Sequence, residues 1–117
     1  MKELLLRLLE TFDVPVMQQG TLAPAEEYPP DFITFDITDS PTIASFDDLD
    51  AMTAWEIEVN YYSNNPVKVA EIPQDIRETL KNNGFIADGR GHMVMSDEQT
   101  HTGWGITFYF LEESEGF

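Results

Sequence analysis

Residues 52–86 constrain the fold more than any other stretch, because two incompatible periodicities meet there within a few residues. From Trp55 the apolar residues alternate. Trp55, Ile57, Val59 and Tyr61 face one way, and Glu56, Glu58, Asn60 and Tyr62 face the other, which is the period of a strand buried on one face. Ser63, Asn64 and Asn65 break the alternation. Asn64 or Asn65 then caps a helix opened by Pro66, where a missing N–H costs nothing. Val69, Ile72, Ile76 and Leu80 recur at helical spacing, and Gly84 and Phe85 make a left-handed stop. A strand feeding a helix whose apolar stripe must cover a sheet is a core unit of an α+β domain.

The flanking segments extend the same plan. Leu5, Leu8, Leu9 and Phe12 give Lys2 to Phe12 one apolar face, ended by Pro15, and Val14 to Met17 can add only a short edge strand. Residues 18–31 hold Pro24, Pro29 and Pro30 and read as an exposed loop. Phe32 to Thr38 alternates, with Ile33, Phe35 and Ile37 inward. Asp39-Ser40-Pro41 turns the chain, Thr42 to Phe46 is a candidate strand, and Asp47 to Asp50 is a turn. After the helix come a short strand at Phe85 to Ala87, a glycine turn at 88–91, a strand at His92 to Ser96, and an aromatic last strand from Gly103 to Leu111. The acidic tail from Glu112 is expected to fray. The expected fold is α+β: one domain over residues 1–117, a mostly antiparallel sheet of about five strands, and two helices on one face. Pro73 conflicts with the helix locally, costing about 3 kcal/mol in a regular one, and predicts a kink.

Composition bounds the function. With 117 residues and no cysteine, the core must stand without disulfides, and a thiolate zinc site is impossible. No apolar run reaches the length of a membrane span or a signal-peptide core, so the expectation is a cytoplasmic protein. Six basic residues stand against 22 acidic ones, for a net charge of −16, and from Glu10 through Val67 there are twelve carboxylates and no lysine or arginine. Specific binding to nucleic acid or to an anionic membrane is therefore not expected.

The chain carries no catalytic signature. Glu56 and Glu58 share a strand face and would approach each other, but charged residues on such a face are normally solvated. Asp47, Asp48 and Asp50 lack calcium-loop spacing, and His92 and His101 lack metal-ligand spacing. Gly89-Arg90-Gly91 lacks the lysine and following helix of a phosphate loop. The expectation is no enzyme, no metal and no cofactor.

The order of elements resembles the small tail-terminator, or tail-completion, proteins of long-tailed bacteriophages and prophages, also described as minor capsid or head–tail joining proteins. The residues that carry the resemblance begin with the leucine-rich first helix and the proline loop leading to Tyr28-Pro29-Pro30-Asp31-Phe32-Ile33-Thr34-Phe35. They continue with the strand Trp55-Glu56-Ile57-Glu58-Val59-Asn60-Tyr61-Tyr62, the helix ending Leu80-Lys81-Asn82-Asn83-Gly84-Phe85, and Thr102-Gly103-Trp104-Gly105-Ile106-Thr107-Phe108. The resemblance implies a structural virion protein at the head–tail junction, present in the host cytoplasm during assembly. It would cap the tail tube as a homo-oligomeric ring, commonly of six copies, and contact tail-tube and head-connector proteins. Asp36, Asp47, Asp48, Asp50, Glu56 and Glu58 are the candidate interface or lumen residues. The alternative is an acidic DNA mimic or another small protein-binding module.

Overall fold

The computed structural model describes residues 1–18, 29–39, 52–96 and 99–113. The candidate strand at Thr42 to Phe46, the acidic turn Asp47 to Asp50 and residues 19–28 of the proline loop lie outside them. Helix α1 (Lys2–Glu10) is followed by strands β1 (Val16–Gln18), β2 (Asp31–Asp39) and β3 (Met52–Ser63), helix α2 (Pro66–Lys81), and strands β4 (Ile86–Val94) and β5 (Thr102–Glu113). Among the described residues the strands form one sheet in the order β1-β2-β3-β5-β4. β1 runs parallel to β2, and the other pairs are antiparallel. The expected α+β architecture is thus present, with a mixed sheet.

The sheet divides its side chains as the alternation demands. On one face Ile33, Phe35, Ile57, Val59, Tyr61, Ile106 and Phe108 form a single core with Leu5 and Leu9 of α1 and Ile76 and Leu80 of α2. Asn65 caps α2, its Oδ1 accepting from the Val67 N–H at 3.0 Å. At the far end Gly84 has φ of 94°, and the Phe85 N–H donates to the Leu80 carbonyl at 3.0 Å. This glycine stop turns Phe85 into the core beside Leu80.

Three local expectations are corrected. The first helix ends at Glu10, well before Pro15: the Thr11 hydroxyl bonds back to the Leu8 carbonyl at 2.6 Å, and Asp13 adopts a left-handed φ of 60°. Helix α2 runs unbroken across Pro73, as the stripe from Val69 to Leu80 leads one to expect, and the proline is itself buried. Pro73, Ile76 and Leu80 stand at i, i+3 and i+7, so the proline ring joins the apolar stripe and its burial offsets the lost hydrogen bond. Glu112 and Glu113 are paired with Thr53 and Met52 at the end of β5, so the fraying expected from Glu112 does not begin there; residues 114–117 lie outside the described residues.

The third correction concerns residues 88–91, which do not turn between two strands. β4 passes through them as one strand with a bulge: Asp88 pairs with Thr107 and His92 with Gly105, leaving three residues opposite one. Gly89 and Gly91 take φ of 71° and 94°. A Cβ on Gly91 would lie 2.3 Å from the Gly105 carbonyl oxygen, so only glycine fits. The bulge is held from the core side. Arg77 Nε donates to the Gly89 carbonyl at 2.8 Å, and Trp104 Nε1 to the Arg90 carbonyl at 2.8 Å.

Candidate functional site

The second face of the sheet follows from the register. Asp36 stands opposite Glu58 and Thr38 opposite Glu56, while across β3 Glu58 meets Thr107 and Glu56 meets Tyr109. Directly opposed residues share a face with Cβ atoms about 5 Å apart. The structure therefore gathers Asp36, Glu56 and Glu58, three of the expected residues, around a shallow open depression of about 130 Å³ lined also by Thr38 and Thr107. Asp47, Asp48 and Asp50 lie outside the described residues.

Two residues join this patch that the sequence reading did not assign to it. Asp88 stands opposite Thr107, and Tyr109 lies beside Glu56 with its hydroxyl donating to Oε1 at 3.4 Å. The Tyr109 phenol is pushed above its ordinary pKa, first by desolvation and then by the carboxylates of Asp88 and Glu56. Strand parity would have revealed Tyr109, because Trp104, Ile106, Phe108 and Phe110 occupy the alternate positions. Asp88 was hidden by the reading of 88–91 as a turn.

No lysine or arginine is among the residues that line the depression. All six stand elsewhere: Lys2 and Arg7 on α1, Lys68, Arg77 and Lys81 on α2, and Arg90 in the bulge. On the two helices these cations are interspersed with Glu3, Glu10, Glu71, Asp75 and Glu78, so the helical layer is nearly neutral.

Toward the other end of β2 and β3 the same face turns aromatic. Phe32 stacks on Tyr62 at 5.0 Å between centroids, with His101 tilted against it at 6.0 Å. Between the two ends Asn60 is only 3% exposed and leans over Gly105, where a Cβ would sit 2.4 Å from Asn60 Oδ1. That oxygen and Thr34 Oγ1 are buried without a hydrogen-bond partner.

The two histidines are not brought together. His92 is exposed opposite Gly105, whereas His101 is tied by Nε2 to the Pro29 carbonyl at 2.7 Å and by Nδ1 to the Thr100 hydroxyl at 2.9 Å. Because a carbonyl can only accept, Nε2 carries the proton in the contact with Pro29. Among the described residues no group of three histidine, aspartate or glutamate side chains is arranged to hold a metal ion, and no helix is long and apolar enough to cross a membrane.

Chemically, the patch presents unneutralised carboxylates on a flat sheet, which can repel a polyanion or receive a basic surface. No protein-family model matches the chain, and no curated protein matches it.

Proposed function

We propose that the chain is a structural virion protein of a long-tailed phage or prophage. In this reading it closes the finished tail tube as a ring of about six copies and joins the tube to the head connector. Its role is architectural and requires no catalysis or cofactor. The observation that supports the reading is the separation of charge across one sheet. One face is sealed by nearly neutral helices, and the other carries Asp36, Glu56, Glu58 and Asp88 with every cation elsewhere. A ring that turns this face to its bore passes duplex DNA without holding it, since like charge keeps the phosphates off the wall.

The rival reading, an acidic mimic of DNA seated in a basic groove, draws on the same carboxylates. Here they are gathered in one patch, with Asp36 directly opposite Glu58 at about 5 Å between Cβ atoms, rather than strung out along a ridge as phosphates are.

The test is imaging. Purified chain is added to tail tubes encoded by the same genome and examined by electron microscopy, with and without head particles. Ring density at one end of the tube, and head joining that depends on it, is the expected result. Absence of end-bound density would overturn the reading. A tight complex with a DNA-binding protein that DNA displaces would favour the mimic.

A further inference from the structure

The two edges of the sheet are unlike. β1 offers three residues directly after Pro15, a short edge that invites little pairing. β4 offers nine. Of the large apolar side chains exposed among the described residues, Ile86, Met93 and Met95 lie on or just past β4, at 54%, 68% and 93% exposure. The glycine bulge splits this edge. Beyond it, His92, Met93 and Val94 alternate, with Met93 toward the helical side and His92 and Val94 toward the acidic side. Met95 and Ser96 follow past the end of the strand, where the same alternation would put Met95 beside Met93 if pairing extended β4.

Charge says what can approach. From Gly89 to Ser96 there is no carboxylate, and Arg90 is the one formal charge. A basic partner would be drawn to the carboxylates of the second sheet face. An acidic partner is repelled there and meets no carboxylate between Gly89 and Ser96 at this edge. A second copy of a chain with net charge −16 is such a partner.

We propose that residues 92–96 pair antiparallel with the same segment of a second copy, about a two-fold axis at Val94. The segment is complementary to itself in that register. Met93 stands opposite the partner's Met95 and Met95 opposite the partner's Met93, so two apolar cross-strand pairs form on the helical side. Val94 faces the partner's Val94 on the other side, and the two sheets become continuous across the axis. The proposal does not rest on the tail-capping reading. A two-fold contact closes after two copies, so a dimer without rings and rings without this dimer are separable results.

The test uses the full chain at physiological ionic strength, where the Debye length is about 8 Å. Sedimentation over a range of concentrations should show the mass rising from 13.3 kDa through twice that value, whether or not larger rings follow. Met93→Lys should weaken the association by about tenfold or more. Ile86→Lys, on the other side of the bulge, should leave it unchanged. Both side chains are exposed, and circular dichroism checks that the fold is kept.

Because the chain has no cysteine, register can be read directly. A mixture of Met93→Cys and Met95→Cys chains should oxidise to the mixed disulfide in about tenfold excess over either homodisulfide, since only the mixed pair is directly opposed. A monomer at every concentration would overturn the proposal. So would a dimer indifferent to Met93→Lys, or homodisulfides that form as readily as the mixed one.

Discussion

The two faces of the sheet are built from the same strands and differ in what holds them. On the helical face Ile57, Val59, Ile106 and Phe108 are closed over by Ile76, Leu80, Leu5 and Leu9, and burial of apolar surface supplies the stability. On the second face Asp36, Glu56 and Glu58 stand side by side around a shallow depression with no cation among its lining residues, an arrangement that contributes repulsion to the folded state. The comparison teaches that alternation along β3 serves two ends at once. One parity secures the fold, and the other is left free to carry charge that stability alone would not select.

The largest effects should come from the covered face. Leu80→Ala removes a fully buried side chain from the centre of the core and should cost about 2–5 kcal/mol in chemical denaturation. A loss below about 1 kcal/mol would mean that the helices do not seal this face.

A second test uses alkali. Tyr61 is 1% exposed, and its phenol is pushed up from 10.0 to about 12. Burial is the main cause and Asp31, which accepts from its hydroxyl at 3.2 Å, adds to it, while a hydrogen bond with Ser63 works in the other direction. The folded state therefore holds this proton more tightly than the unfolded chain. The stability it confers is complete below pH about 10 and is lost as pH rises toward about 12. Unfolding free energy should fall across that window, and Tyr61→Phe should flatten the slope.

Much of this division was legible in the sequence, and the reason is local. Trp55 to Tyr62 and Phe32 to Thr38 repeat every second residue, while Val69, Ile72, Ile76 and Leu80 repeat at helical spacing, so each stretch declares its own buried side. The same parity placed Asp36, Glu56 and Glu58 together before any register was known. What stayed hidden depends on contacts between distant residues. Asp88-Gly89-Arg90-Gly91 has the composition of a turn and of a glycine bulge alike. The bonds from Arg77 and Trp104, supplied by α2 and β5, decide between them. Pro73 reads only as a local conflict within its helix until its own place on the buried stripe is seen. The parallel pairing of β1 with β2 rests on three residues and could not be read from so short a pattern.

On the second face, single changes should be small in stability and visible in titration. Glu56→Gln should alter unfolding free energy by no more than about 0.5 kcal/mol, as for surface substitutions generally. It should also lower the Tyr109 phenol toward its ordinary range, because one of the carboxylates that raise it is gone. Ultraviolet titration of tyrosinate in the variant and the parent checks this. An unchanged Tyr109 together with a large loss of stability would show that Glu56 belongs to the framework rather than to a free charged surface.

The most direct test of the account is the mass of the particle against ionic strength and magnesium, measured by light scattering. The parent is compared with the variant carrying Asp36→Asn, Glu56→Gln and Glu58→Gln. Copies of net charge −16 repel over a Debye length of roughly 30 Å at 0.01 M salt and about 10 Å at 0.1 M. The parent should therefore stay at one or two chains in low salt and grow toward a ring as salt or magnesium rises. The variant, freed of the carboxylates on the second face, should grow already in low salt with its fold intact. Masses no larger than two chains for both proteins, unmoved by salt or magnesium, would contradict the claim that this face governs assembly.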